Sequence, residues 1–164
     1  MAIMNQFISN LEKELKKSKL AGKNEIVGCT NDEIEELENR FGVGFPVVYR
    51  DFLLTMGKRA GRFLEGTDAF FEHLPYLRGY AEDSLTSAGR KFVLPARAFV
   101  FASQQGYAFL YFDADEAQPD PSVFFFQERD ATPSRTWPSL TAYFQQVLMD
   151  TKKLQAQGIG SKLN

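Results

Sequence analysis

Apolar residues recur at helical spacing in the amino-terminal part of this 164-residue chain. From Ile3 to Leu20 their spacing is close to helical, which predicts an amphipathic helix followed by a linker from Ala21 to Cys29. The apolar positions of this helix are Phe7, Ile8, Leu11, Leu15 and Leu20. The lysines off this stripe predict a solvated face, with a contact surface for an acidic partner as the alternative. They are Lys13, Lys16, Lys17 and Lys19.

Two further helices are predicted on either side of a glycine–proline step. Thr30 and Glu33 have the spacing of a capping box, in which each side chain accepts a hydrogen bond from the other residue's backbone N–H. Gly42 ends this helix, Pro46 suits the first turn of the next one, and Gly57 ends that. The apolar positions are Ile34, Leu37 and Phe41 in the first of these helices, and Val48 or Tyr49, then Phe52, Leu53 and Met56, in the second.

The middle of the chain has a weaker pattern. Residues 58–74 are interrupted by Gly61 and Gly66, which predicts irregular structure with room for one short strand. A helix ending near Gly89 is predicted next from helical spacing. Its apolar positions are Leu77, Tyr80, Ala81, Leu85 and Ala88.

The second half of the chain changes to a strand pattern. Residues 99–102 and 107–112 alternate imperfectly, and Gln105–Gly106 supplies a tight turn in which we expect a positive φ at Gly106. We predict a third strand at 122–128, a turn region at 132–138 and a closing helix from Leu140 towards Leu154. Glycines 158 and 160 and Ser161 predict a frayed tail. We expect one core to include Ile34, Leu37, Phe41, Tyr49, Phe52, Leu53, Phe101, Phe109, Tyr111 and Val123.

Composition narrows the classes of function. Hydrophobic residues make up 44% of the chain and include 16 Phe, which favours an aromatic core. A net charge of −2 gives no electrostatic reason to bind nucleic acid. The single cysteine, Cys29, cannot form an intrachain disulfide, which is typical of a reducing compartment. The chain shows neither a signal-peptide pattern nor an apolar run near the roughly 18 residues of a membrane span. We therefore expect a cytoplasmic protein.

The sequence contains no pattern typical of a catalytic site. Cys29 and His73 are the residue types of a catalytic dyad, but neither lies in an activating motif, so a structural or incidental role is favoured for both. One cysteine and one histidine cannot fill a tetrahedral zinc shell. The aromatics at Tyr107, Tyr111 and 124–126 could imitate a base-stacking platform, but core packing is the favoured interpretation in a chain so rich in Phe. We expect no enzyme activity, no metal and no cofactor.

The densest charged cluster is acidic and lies between the second and third strands. It contains Asp113, Asp115, Glu116 and Asp120, without the glycine and final Glu of an EF-hand. The alternatives are a solvated loop, a partner-binding loop, a weak cation site and, least favoured, the carboxylates of a small hydrolase. Because loops carry recognition without disturbing the core, these acids are our first candidate partner-binding residues. The second candidate is the acidic helix, with Glu35, Glu36 and Glu38.

The order of these segments resembles the SUKH superfamily, which groups bacterial immunity proteins with fungal regulators of cell-wall assembly. The first half contributes T-N-D-E-I-E-E-L-E-N-R-F-G and then F-P-V-V-Y-R-D-F-L-L-T-M-G, with Phe45 where Leu is common. The second half contributes a strand–turn–strand centred on Gln105-Gly106-Tyr107 and the segment D-P-S-V-F-F-F-Q-E. The resemblance covers roughly residues 30–149. The matching positions of the first half are Ile34, Leu37, Phe41, Gly42, Phe45, Pro46, Tyr49, Phe52, Leu53 and Gly57.

The resemblance implies a single α+β domain with a central, mainly antiparallel sheet packed by helices, and it implies no catalysis. It divides the chain into an N-terminal helix and linker (1–29), a SUKH-like domain (30–150), and a helix end with a frayed tail (151–164). It also implies an immunity protein that binds and neutralises a cognate toxin protein, without direct binding of nucleic acid or membrane. Many such toxins act on nucleic acids. The alternative is a non-catalytic regulatory or scaffold module of the cell-wall-regulator type.

Overall fold

A computed structural model describes residues 2–89 and 92–158 of the chain. The helices are α1 (Ala2–Lys17), α2 (Asn31–Phe41), α3 (Val47–Met56), α4 (Leu74–Ser87) and α5 (Leu140–Ala156). The strands are β1 (Ile26–Val27), β2 (Arg59–Ala60), β3 (Ala98–Gln104), β4 (Ala108–Asp113), β5 (Val123–Gln127) and β6 (Ser134–Trp137). Four of these helices precede β3 to β6, and the chain folds as one α+β domain, as the resemblance implied.

The central sheet is antiparallel and has the strand order β3-β4-β5-β6. Each strand pairs with its neighbour in sequence, so short connections are sufficient to build the sheet. A second, two-stranded sheet pairs β1 with β2. This pairing joins the predicted linker to the short strand predicted after Gly57.

The local signals for α2 form as predicted. Thr30 Oγ1 accepts a hydrogen bond from the Glu33 N–H at 3.2 Å, and Glu33 Oε1 accepts one from the Thr30 N–H at 2.9 Å. Gly42 closes the helix at φ 64°, a left-handed conformation that glycine adopts without a Cβ clash. The predicted positive φ at Gly106 is also confirmed, at 79°, and Gln105 beside it has φ 55°.

One face of the central sheet is covered by α3 and α5. Phe99, Phe101 and Phe112 place their ring centroids 5.6, 6.1 and 4.9 Å from that of Tyr49 on α3. Tyr143 on α5 packs edge-on against Phe101, with ring centroids 5.4 Å apart. This aromatic packing forms the centre of the core. Nine of the ten positions predicted to share one core are buried in it, and the tenth, Phe41, is partly buried and packs against it.

The opposite face of the sheet has its own aromatic layer. Side chains alternate between faces along a strand, so Phe109 and Tyr111 point away from Phe112. Phe109 stacks on Phe126 with centroids 5.4 Å apart, and Tyr111 stacks on Phe124 at 5.3 Å. Helix α4 packs against β3, so the central strands are buried on both faces.

Helix α1 belongs to the same core. Ile8, Leu11 and Leu15 on the helix, and Leu20 just after it, are each at most 4% exposed, and the helix packs against α3. At its end, the Ser18 carbonyl accepts a hydrogen bond from the side chain of Gln155 on α5 at 3.0 Å. The lysines that predicted a solvated face are exposed.

The structure differs from the sequence predictions in three places. The predicted turn region at 132–138 contains β6, an edge strand with three exposed polar residues and therefore no apolar alternation. The predicted linker contains β1. Tyr80, expected on the apolar stripe of α4, is 58% exposed, because the stripe runs through Leu74 instead. The frayed tail predicted at 158–161 lies mostly outside the described residues.

Tyr49 carries a buried hydroxyl that finds no hydrogen-bond partner among the described protein groups. The residue is fully buried, and this burial raises the pKa of its phenol well above the usual value. Because an unsatisfied buried polar group costs about 1–3 kcal/mol, we expect Tyr49→Phe to raise the free energy of unfolding by about 1 kcal/mol. Denaturant titration should detect this gain, with Tyr107→Phe at a 45%-exposed site as a neutral control. A loss of stability in Tyr49→Phe would show that the hydroxyl is satisfied.

None of the described helices combines the length and the apolar character needed to cross a membrane.

Candidate partner-binding surface

The acidic loop predicted from the sequence connects β4 to β5 and is fixed along its length by backbone hydrogen bonds. The Ala114 N–H donates to the carbonyl of Arg97 at 2.8 Å, just after β4 ends. The carbonyl of Pro119 accepts from the N–H of Val48, at the start of α3, at 3.0 Å. The loop therefore lies across the α2–α3 connection. The Glu116 side chain also lies against this connection, because a Cβ added at Gly44 would be 2.9 Å from the carboxyl carbon of Glu116.

Arg97 lies between two carboxylates of the loop. Its guanidinium nitrogens are 3.4 Å from Asp113 Oδ2 and 3.8 Å from Asp115 Oδ2. The arginine side chain is 58% exposed and the two acids 49% and 29%, so solvent screens both pairs and each contributes little to stability. One cation thus faces two carboxylates, and exposed Glu116 adds a further negative charge.

Asp120 has a structural contact that its sequence position did not reveal. Its Oδ1 accepts a hydrogen bond from the N–H of Thr141 at 3.0 Å, in the first turn of α5. Ser139 caps the same helix by accepting from the N–H of Ala142 at 3.0 Å. A carboxylate at a helix N-terminus also favours the helix dipole. Asp120 therefore supports the fold at this end of the loop.

The acids of α2 also divide into exposed residues and one that supports the fold. Glu35 and Glu36 are exposed on the helix surface. Glu38 is only 17% exposed, and its two oxygens accept from the N–H of Phe45 and from Arg50 Nη1, each at 2.7 Å. Glu38 thus holds the α2–α3 turn and the start of α3 together. The sequence reasoning missed this role because both partners lie beyond the glycines that end α2.

An apolar pocket of about 460 Å³ adjoins the acidic loop. The stacked rings of Tyr111 and Phe124 contribute to its lining, with an interplanar angle of 16°. Arg97 and Asp113 are the charged residues in a lining that is otherwise mostly apolar. The full lining is Pro95, Ala96, Arg97, Ala98, Tyr111, Asp113 and Phe124. Sequence analysis assigned Tyr111 to the core, and it is indeed only 5% exposed. It did not identify the pocket, whose far wall comes from the segment before β3.

The two residues of the hypothetical dyad show no activation. Cys29 is buried, and desolvation raises the pKa of its thiol to about 11, whereas a nucleophilic cysteine needs a lowered pKa. His73 lies on the surface, with Nε2 at 3.7 Å from Asp68 Oδ1 and 3.9 Å from Glu72 Oε1. Within residues 2–89 and 92–158, no group of three or more His, Cys, Asp or Glu side chains is placed to hold a metal ion. The charged and apolar groups of this surface suit contact with another molecule.

Most of the chain matches a known family. The model of the SMI1/KNR4 family (SUKH-1) matches residues 28–146, a range that includes the acidic loop, the apolar pocket and the whole central sheet. No curated protein matches the chain.

Proposed function

Because this chain belongs to the SMI1/KNR4 family (SUKH-1), we propose that it is an immunity protein that binds a cognate bacterial toxin and neutralises it by stoichiometric contact. It would act in the cytoplasm of the cell that produces the toxin. The observation that carries the proposal is the acidic loop beside the apolar pocket. This surface offers charge and a receptive cavity, and the residues around it offer no organised nucleophile and base.

The two parts of this surface suit different tasks in binding. Carboxylates at Asp113, Asp115 and Glu116 attract a basic surface and accelerate association, as on a toxin that acts on nucleic acid. The pocket formed by Tyr111 and Phe124 accepts an apolar or aromatic anchor, the kind of side chain that contributes most binding energy. An interface on the order of 800 Å² per partner would extend over both.

Neutralisation is the direct test of the proposal. The product of the gene adjacent to the one that encodes this chain would be expressed from an inducible promoter, with and without the chain. We expect growth only when the chain is present, and a purified complex with one copy of each protein. Growth arrest in the presence of the chain, together with no complex, would contradict the proposal. A one-to-one complex with a non-toxic neighbour would favour the regulatory or scaffold alternative.

The acidic loop is expected to control the rate of association. Changing Asp113 and Asp115 to Asn and Glu116 to Gln should slow association roughly tenfold at low salt and flatten its salt dependence, because steering charges are lost. Asp120 is left in place, since it supports α5. Stopped-flow mixing with the toxin domain at several ionic strengths measures both effects.

A matched variant tests the second acidic surface with the same change of charge. Asp32→Asn, Glu35→Gln and Glu36→Gln alter three exposed acids of α2. If this variant slows association and the loop variant does not, the docking surface is α2. If both variants change the association rate equally little, neither the acidic loop nor α2 is the docking surface.

The pocket is expected to hold an anchor side chain of the toxin. Ala96 is exposed and lines the pocket, so Ala96→Trp fills the cavity without removing a buried contact. We expect at least a tenfold weaker complex, which corresponds to about 1.4 kcal/mol. Isothermal titration calorimetry measures the affinity of the complex. Ala131→Trp, at an exposed position between β5 and β6, is the control. Unchanged affinity in Ala96→Trp would remove the pocket from the interface.

A further inference from the structure

The outer face of α4 carries two aromatic side chains that its own packing does not use. Tyr76 and Tyr80 are 55% and 58% exposed, and their rings stack with centroids 6.4 Å apart at an angle of 26°. The buried face of the helix is formed by Leu74, Leu77, Ala81 and Leu85. Large aromatic side chains that are exposed side by side are typical of interaction sites, and tyrosine is among the residues enriched in binding hot spots.

Gly79 lies between the two tyrosines in the helix interior. A Cβ at this position would meet no atom within 4 Å, so no neighbouring group of this chain requires a glycine here. Its φ is also not in the positive range that would demand glycine. A glycine in a helix interior lowers stability relative to alanine, so the fold gains nothing from it. It does provide a flat place where another backbone can approach the helix closely.

The charges on this face are acidic. Asp83 is exposed and follows Gly79 and Tyr80 at helical spacing of four and three residues. Glu72 precedes the helix, and its side chain is 81% exposed. Arg78 is the basic residue of α4, but its charge is already engaged. It pairs with Glu82 at 2.8 Å and donates to the carbonyl of Ala98 at 2.7 Å, on the flank towards β3.

We infer that α4 is a docking face for an arginine-bearing segment of a partner protein, bound across Tyr76, Gly79, Tyr80 and Asp83. The four positions follow the i, i+3, i+4, i+7 spacing of one helix face. A guanidinium stacks flat on a tyrosine ring and pairs with a carboxylate, which matches the two kinds of side chain here. The carboxylates disfavour phosphate groups, so the partner is a protein and not a nucleic acid. The four positions include no residue of the acidic loop or of the apolar pocket, and their role does not depend on the toxin proposed above.

The test uses the full chain and a defined probe, so it stands whether or not a toxin is bound. An eight-residue peptide of alternating arginine and glycine is titrated into the isotope-labelled protein, with a lysine–glycine peptide of equal charge as the comparison. We expect saturable chemical-shift changes centred on residues 76–83, and several-fold weaker binding of the lysine peptide. Changes centred on residues 113–116, no saturation, or equal binding of both peptides would overturn the inference.

Variants separate a docking role from a structural one. Gly79→Gln should raise Tm by about 2–4 °C, because it removes a helix-interior glycine, and should weaken arginine-peptide binding at least fivefold by blocking close approach. Tyr76→Ser with Tyr80→Ser should weaken binding to a similar extent, and the paired Phe variants should restore it. If Gly79→Gln stabilises the fold and leaves peptide binding unchanged, α4 is not the docking face.

Discussion

Phe52→Ala is expected to lower the free energy of unfolding by about 3–5 kcal/mol, the usual cost of removing a large aromatic side chain from a core. Phe52 is 1% exposed and lies on α3. Its ring stacks on Phe144 of α5 with centroids 4.8 Å apart, and on Tyr49 at 6.0 Å. The substitution would leave a cavity where α3 meets α5, and both helices cover the same face of the central sheet.

Equilibrium denaturation with urea, followed by circular dichroism, measures this loss. Leu54→Ala is the matched control, because Leu54 lies on the same helix and is 38% exposed. The control should lose about 1 kcal/mol or less, since little apolar area leaves water at that position. Similar small losses in both variants would mean that the packing around Phe52 adapts to the missing ring.

Gly28→Ala is expected to destabilise the fold by at least about 3 kcal/mol, at the upper end of the range for overpacking a well-filled interior. A Cβ at Gly28 would lie 1.7 Å from the carbonyl oxygen of Leu54 and 2.5 Å from its carbonyl carbon. Both atoms belong to the backbone of α3, so no side-chain rotation relieves the clash. The next residue, Cys29, donates its N–H to the carbonyl of Leu53 at 2.8 Å, and this hydrogen bond depends on the same close approach.

Gly22→Ala is the matched control for this prediction. The nearest atom to a Cβ at Gly22 is the Glu25 carboxylate oxygen at 2.6 Å, at the end of a flexible side chain that can move away. We expect this control to change the denaturation midpoint only slightly. If Gly28→Ala also leaves the midpoint almost unchanged, the segment around β1 can shift away from α3.

The candidate surface was only partly predictable from the sequence. The density of carboxylates at residues 113–120 drew attention to the loop, but charge density alone could not separate docking groups from supporting ones. Asp120 and Glu38 form hydrogen bonds that hold elements together, whereas Asp113 and Glu116 face solvent to a larger degree. The partners of the supporting acids lie 21 and 7 residues away, so no local pattern could reveal them.

The sequence by itself determined the local elements whose signals lie within a few residues. The capping box of α2, the end of that helix at Gly42, the positive φ at Gly106 and the apolar stripes of α1 to α3 all formed as predicted, because each depends on near neighbours or on helical periodicity. Tertiary structure alone decided the remainder. β6 is a strand because β5 supplies its hydrogen bonds. The apolar pocket exists because the chain before β3 returns beside Tyr111 and Phe124, and Tyr80 is exposed because α4 turns a different face towards β3. These features depend on contacts between segments distant in the chain, and such contacts leave no periodic signal in the sequence.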